Sequence, residues 1–191
     1  MSSPLPVNLQ GMFDWAVNMC NAANVGYSQT YRNYETVNGI TYFDCSSFTF
    51  FALWLGGGFD VGHFGYSTNL SDYQNRLENA WIVTEMINCL QAAGWTRMDP
   101  EQVQWLPGDI LAKTRTHTEI CYSNSPLQTM GARNPNLPLA DQVSIHGAST
   151  GYYDVLLRYN AGPGPHPQPT QPMPIWLLKR AIEIQKGGIF V

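Results

Sequence analysis

The order of its periodic segments is the feature that most constrains what this chain can fold into. Up to Gly94 the apolar residues recur mainly at helical spacing, whereas after Pro107 and Gly108 they occur in short, β-prone runs separated by turn residues. Helices that precede a run of strands, rather than alternating with them, predict an α+β domain. In such a domain the N-terminal helices pack on one side of a meandering antiparallel sheet.

Three helices and five strands are predicted. The helices cover about residues 9–23, 45–55 and 79–93. Asp44 is a favourable N-cap for the second helix, and Gly94 is a favourable residue to end the third. The five strands cover about residues 109–113, 116–122, 127–132, 142–146 and 152–159.

The C-terminal part of the chain has a different composition. Six of the fourteen residues between 161 and 174 are proline, which predicts a stiff, extended linker. Residues 175–191 have a short amphipathic pattern and are too few to hold a core of their own. We therefore expect one domain over residues 1–160, a Pro-rich linker over 161–174 and a short C-terminal segment over 175–191.

Charge and hydropathy argue against several classes of partner. The chain has 10 Lys and Arg against 14 Asp and Glu, with no basic cluster, so we expect neither nucleic acid nor an anionic lipid surface as a partner. Its apolar stretches are much shorter than the roughly 20 residues that cross a bilayer, so we expect no membrane insertion. The N-terminus lacks the basic and apolar regions of a secretory signal, so we expect no signal-dependent export.

The cysteines point to one candidate nucleophile. Cys20, Cys45, Cys89 and Cys121 have no paired spacing, which favours free thiols over a zinc ribbon or a disulfide framework. Cys45 alone follows an N-cap residue, at a helix start where unpaired N–H groups and the helix dipole favour a thiolate. Position alone favours the other reading, in which Cys45 is a small buried apolar residue.

A nucleophilic thiolate also needs a base, and two histidines lie in the predicted sheet. His117 opens one strand and has Glu119 on the same face, whereas His146 ends another strand. His63 lies in a Gly-rich loop and His166 in the Pro-rich linker. A base for Cys45 is therefore expected from the strand region.

Three segments carry a family resemblance when they are taken in this order. They are Phe-Asp-Cys-Ser-Ser-Phe at 43–48, Pro-Gly-Asp-Ile-Leu at 107–111 and His-Thr-Glu-Ile at 117–120. The pattern resembles the NlpC/P60 superfamily of papain-like cysteine peptidases. It is most similar to the bacteriophage peptidoglycan amidohydrolases, or endolysins, within or beside that superfamily. The similarity spans about residues 9–159 and implies a papain-like α+β fold.

The resemblance also implies a function. Residues 1–160 would form a cysteine peptidase or amidase domain in which Cys45 is the nucleophile and His117 the general base, while Asp44 and Ser46 line the substrate cleft. No metal or cofactor is implied. The substrate would be bacterial peptidoglycan, cut at an amide bond of its peptide part. The protein would be an endolysin held in the host cytoplasm before release, or a tail-associated lysin in contact with other virion components.

The residue that orients the imidazole does not follow the family pattern. The family usually has His, Asn or Gln on the next strand, where this sequence has Gly131. A substitute could come from Glu119, Gln128, Asn134 or His146, or be missing. We favour His146, because Glu119 lies two residues along the same strand as the base, about 7 Å away.

Three other functions remain open at this stage. His63, His117 and His146 could be the ligands of a zinc amidase, although their spacing is not typical of one. The aromatic content of 13% would suit a non-catalytic wall-binding module or a phage structural protein. A papain-type protease or acyltransferase acting on another substrate would share the same catalytic residues.

Overall fold

The computed structural model describes residues 9–58 and 82–159. Residues 79–81 of the third predicted helix, the linker at 161–174 and the segment at 175–191 lie outside this part. Its helices are α1 (Leu9–Cys20), α2 (Cys45–Phe51), α3 (Ile82–Ala92) and α4 (Leu139–Gln142), with a π-helical turn (Ala52–Gly56) directly after α2 and a 3-10 turn (Thr150–Tyr152). Its strands are β1 (Val25–Tyr27), β2 (Asn33–Val37), β3 (Ile40–Phe43), β4 (Trp95–Met98), β5 (Ile110–Lys113), β6 (His117–Asn124), β7 (Leu127–Ala132), β8 (Val143–Gly147) and β9 (Val155–Tyr159).

The main sheet has six antiparallel strands in the order β4-β9-β5-β6-β7-β8. Strands β5 to β8 form the predicted meander, and β9 returns to pair with β5. Two details differ from the prediction. Strand β4 was not expected, and β9 begins at Val155 because residues 150–152 form a turn. The α+β class and the antiparallel arrangement are confirmed.

A small second sheet precedes α2, in the order β1-β3-β2. Strands β2 and β3 form a hairpin whose turn residues, Asn38 and Gly39, have φ values of 52° and 80°. Positive φ at both positions matches the twist of a two-residue hairpin, which accounts for the Asn-Gly pair. Strand β1, which the sequence did not indicate, pairs in parallel with β3.

Aromatic packing fixes α2 against its neighbours. The ring of Trp15 in α1 lies 5.7 Å from Phe43 in β3 and 5.5 Å from Phe48 in α2, measured between ring centroids. All seven residues of α2 are buried, and the helix packs on β6 and β7. Because no face of α2 is exposed, its first residue is held at a fixed place beside the sheet. No helix in the described ranges has both the length and the apolar character needed to span a bilayer.

The start of α2 is set by its N-cap, as predicted. A carboxylate oxygen of Asp44 accepts hydrogen bonds from the Ser47 N–H at 2.7 Å and the Ser46 hydroxyl at 3.0 Å, and Ser47 Oγ accepts in return from the Asp44 N–H. The other carboxylate oxygen forms an ion pair with Arg32 at 3.1 Å. This capping box places Cys45 in the first helical position.

Replacing Asp44 should therefore destabilise the domain. Asp44→Ala removes the acceptor of the Ser47 N–H and the carboxylate that pairs with Arg32, and we expect the free energy of unfolding to fall by about 1–2 kcal/mol. Asp44→Asn keeps an oxygen for the Ser47 N–H and should cost less. Urea unfolding followed by circular dichroism measures both changes, and equal stability of Asp44→Ala and the wild type would contradict the role of the cap.

Candidate active site

The predicted nucleophile and base are brought together at the point where α2 and β6 both begin. The thiol of Cys45 is 7% exposed and lies 3.9 Å from the carbonyl oxygen of Thr116. It is close enough to the His117 imidazole to raise the pKa of that ring. A cysteine at a helix N-terminus next to a histidine is the arrangement required for a thiolate nucleophile.

The side chain that holds the His117 ring is Glu119. Its Oε1 accepts a hydrogen bond from Nε2 of His117 at 2.8 Å, which leaves the other ring nitrogen for the thiol of Cys45. The preference for His146 at this contact was wrong. The error was to compare the separation along the strand with the length of a hydrogen bond, although the two long side chains lie on the same face and bridge the gap themselves.

Gly131 makes room for this carboxylate. A Cβ atom at residue 131 would lie 2.9 Å from Cγ of Glu119, closer than real Cβ contacts come. The position where the family pattern expects a polar residue on the next strand is therefore filled by a side chain from β6. In the sequence, Gly131 suggested that the orienting residue was missing. In the structure, the absence of a side chain at Gly131 leaves the space that the Glu119 side chain occupies.

The Glu119 carboxylate is buried and fully hydrogen-bonded. It is 2% exposed, and its Oε1 accepts from His117 and, at 3.1 Å, from Nε2 of His146. Its Oε2 accepts from the hydroxyls of Thr129 and Tyr153. These four bonds use the four lone-pair positions of a carboxylate, which compensates for the loss of water around the charge.

The charges of Glu119 and His117 stabilise each other. Burial alone raises the pKa of Glu119, but the hydrogen bonds and charges of His117 and His146 outweigh burial and hold that pKa well below its usual range. Burial lowers the pKa of His117, but its bonds to Cys45 and Glu119 outweigh burial and raise it from 6.5 to about 10. His117 is therefore a cation when its two partners are charged.

His146 contacts the base through Glu119. Its Nδ1 lies 3.2 Å from the carbonyl oxygen of Ser144, and its Nε2 faces the Glu119 carboxylate. His146 thus extends the group of side chains around Glu119 to β8.

Neither of the other two candidate orienting residues forms a hydrogen bond with the His117 ring. Asn134 follows β7, and its Oδ1 accepts from the backbone N–H of Asn136 at 2.9 Å. Gln128 pairs with Ser123 near the start of β7.

Asp44 and Ser46 were predicted to line the substrate cleft, and the structure places both side chains inside the cap of α2. They are 2% and 3% exposed, and the hydroxyl of Ser46 donates to the Asp44 carboxylate. The backbone N–H groups of Cys45 and Ser46 have no acceptor within residues 9–58 and 82–159. Such N–H groups at a helix start can donate to an oxyanion formed at the thiol.

A cleft of about 580 Å³ opens beside His117. The cleft lies on the side of the His117 ring that faces Glu119 and His146. The exposed ring of Tyr152 stands over the His117 imidazole, with the ring centroids 6.0 Å apart. The cleft is lined by His117, Glu119, Arg133, Asn134, Leu137, His146, Gly147, Ala148, Ser149, Tyr152 and Tyr153.

The remaining predicted ligands and thiols are distributed as follows. All four cysteines are free. In the part of the chain that the structure covers, no cluster of three or more His, Cys, Asp or Glu residues has a geometry that could hold a metal ion. His63, the third histidine of the zinc hypothesis, lies outside that part.

Sequence reasoning missed three residues that support this site. Thr129 and Tyr153 complete the hydrogen bonds of Glu119, and Arg32 pairs with Asp44. The signal available in the sequence was a Glu two residues from a strand His, on the same face of the strand. A carboxylate that is buried at such a position requires several donors. Nothing local indicated which residues these donors would be.

Comparison with known proteins gives no family assignment. No family model matches the sequence, and searches of curated proteins and of solved structures find no significant match.

The space at residue 131 can be tested directly. We expect Gly131→Ala to displace the Glu119 side chain and to lower the pKa of His117 from about 10 towards 6.5. Two-dimensional NMR of the imidazole resonances as a function of pH measures this pKa.

Gly147→Ala is the matched control, because a Cβ atom there meets nothing within 4 Å. It should leave the titration of His117 unchanged. If Gly131→Ala also left the pKa of His117 unchanged, the position of Glu119 would not depend on the absence of a side chain at residue 131.

Proposed function

We propose that this chain is a cysteine hydrolase that cuts an amide bond in the peptide part of bacterial peptidoglycan. One observation carries the chemical part of the proposal. The thiol of Cys45, at the start of a buried helix, lies 3.9 Å from the backbone carbonyl of Thr116, the residue before His117, and raises the pKa of the His117 imidazole, whose Nε2 is held 2.8 Å from the buried Glu119. A nucleophile, a base and a residue that orients the base are the three parts of a hydrolytic triad.

The proposed reaction has two steps. The Cys45 thiolate attacks the amide carbonyl carbon, and the oxygen that becomes negative accepts hydrogen bonds from the free N–H groups at the start of α2. His117 gives its proton to the leaving amine as the C–N bond breaks, and a thioester remains on Cys45. Water then attacks the thioester while His117 takes a proton from it, which releases the carboxylic acid and restores the thiolate.

Glu119 acts in this mechanism as a positioning residue. Its hydrogen bond fixes the plane and the tautomer of the His117 ring, and its charge stabilises the imidazolium that the first step uses. The bonds from His146, Thr129 and Tyr153 keep the carboxylate itself in place. A base held on both sides spends more time aligned with the thiol than one that rotates freely.

The substrate part of the proposal is supported by the three segments that resemble NlpC/P60 peptidases. They contain Cys45 and His117 in the order that the family requires, and Gly131, the one departure, is compensated by Glu119. A papain-like fold is part of the same proposal. A phage endolysin or a tail-associated lysin is the biological setting that this resemblance favours, with peptidoglycan as the partner.

Loss of the thiol should abolish the activity. We expect Cys45→Ala to reduce the hydrolysis of purified peptidoglycan by at least about 1,000-fold, because no other group can form the thioester. The release of new amino groups and the clearing of a wall suspension measure the reaction. Cys89→Ser is the matched control and should keep full activity.

Three results would redirect the proposal. A Cys45→Ala protein that clears walls with its fold intact by circular dichroism would remove Cys45 as the nucleophile. Loss of wild-type activity in EDTA, restored by zinc, would favour the metal amidase instead. A protein that binds walls without releasing amino groups would be a binding module.

The pH dependence of kcat should report the charge on His117. The imidazolium is the acid that protonates the leaving amine, and its pKa is raised to about 10, so activity should persist until the pH approaches that value. Glu119→Gln removes the carboxylate that favours the charged ring, so the decline at high pH should move to lower pH.

Glu101→Gln, which changes an exposed carboxylate, is the control and should keep the wild-type profile. Unchanged high-pH behaviour in Glu119→Gln would show that Glu119 does not set the charge of the base.

A further inference from the structure

Among the described residues that line the cleft beside His117, the charged group left for a ligand is the Arg133 guanidinium. Glu119 is the acidic side chain of this described lining, and both oxygens of its carboxylate are already occupied by four donors. The basic side chains in the lining are His117, His146 and Arg133. A cleft with this balance favours a ligand that brings acceptors or negative charge.

Arg133 lies half-buried in this lining without an ion-pair partner in the described residues. Its backbone N–H donates to the carbonyl oxygen of Gln142 at 2.8 Å, which fixes the chain there and leaves the guanidinium free to act. The other partly buried arginines differ in this respect. Arg32 is paired with Asp44 and Arg158 with Asp109.

Two neutral donors lie in the same lining. The hydroxyl of Ser149 does not cap the turn that follows it. The side-chain oxygen of Asn134 accepts from the Asn136 N–H, so its amide nitrogen is the end that can donate to a ligand. A guanidinium with two neutral donors in one cleft matches the two oxygens of a carboxylate.

We propose that this cleft binds a carboxylate group of the substrate, with the Arg133 guanidinium as the anchor. The inference names the substrate class for the proposed hydrolase and rests on that proposed function. Peptides of the cell wall retain carboxylates that are not used in amide bonds, such as the α-carboxylate of a glutamate linked through its side chain. A volume of about 580 Å³ is in the range of small-ligand sites. Binding such a group would hold the amide next to it beside His117 and Cys45.

The test uses the full chain with Cys45→Ala, which cannot turn over its ligand. The probes are two synthetic peptides of sequence L-Ala-γ-D-Glu-L-Lys that differ only at the glutamate α-carboxyl, which is free in one and an amide in the other. Isothermal titration calorimetry gives the Kd of each. We expect the free carboxylate to bind at least about 10-fold more tightly, as is typical of a charge-assisted hydrogen-bonded pair.

Adding Arg133→Gln should remove this preference, and adding Arg133→Lys should keep part of it. Arg97→Gln makes the same change of charge on an exposed residue of β4, outside the cleft, and should keep the preference in full. Equal affinity for the two peptides, binding of neither, or a preference that survives Arg133→Gln would each overturn the proposal.

The two proposals fail in different ways. If wild-type protein hydrolyses wall peptides and yet shows no carboxylate preference, the function stands and the carboxylate site is wrong. If the Cys45→Ala protein selects the carboxylate through Arg133 but the wild type cuts nothing, the binding site stands and the hydrolase is wrong.

Discussion

The buried carboxylate of Glu119 is the constraint on which the site depends. A charge that is 2% exposed is tolerated only when it is fully hydrogen-bonded, and its four donors come from three neighbouring strands and the segment before β9. The bonds from His117, Thr129, His146 and Tyr153 therefore tie together segments that are distant in sequence. The position of the candidate base follows from the pairing of the sheet, because the strands must be in register for all four bonds to form.

The nucleophile is positioned by a separate set of interactions. Asp44 fixes where α2 begins, and the rings of Trp15, Phe43 and Phe48 fix where the helix lies. Because α2 is buried on every side, it cannot rotate or slide to bring a different residue to the sheet. The contact between Cys45 and His117 is thus the meeting of two rigid parts, a capped helix and a hydrogen-bonded strand, and each could be perturbed without the other.

The sequence predicted the features that depend on local chemistry. The cap at Asp44, the strands of the meander and the α+β class all follow from short-range patterns, and the structure has them. The partners of Glu119 could not be predicted, because Thr129 and Tyr153 reach it only through strand pairing and chain return. The disfavoured contact between His117 and Glu119 shows a second limit: spacing along a strand gives backbone separation and not the reach of side chains.

The same carboxylate also determines which ligands the neighbouring cleft can accept. Four donors surround the buried Glu119, and two of them are the imidazoles of His117 and His146. Once those bonds are made, no acceptor of Glu119 is left for a ligand, whereas Arg133 in the same lining has no ion-pair partner among the described residues. Because Glu119 is occupied in holding the base, Arg133 is the charge that a ligand meets in the cleft, so one buried carboxylate underlies both the proposed catalysis and the proposed selection of an anionic substrate.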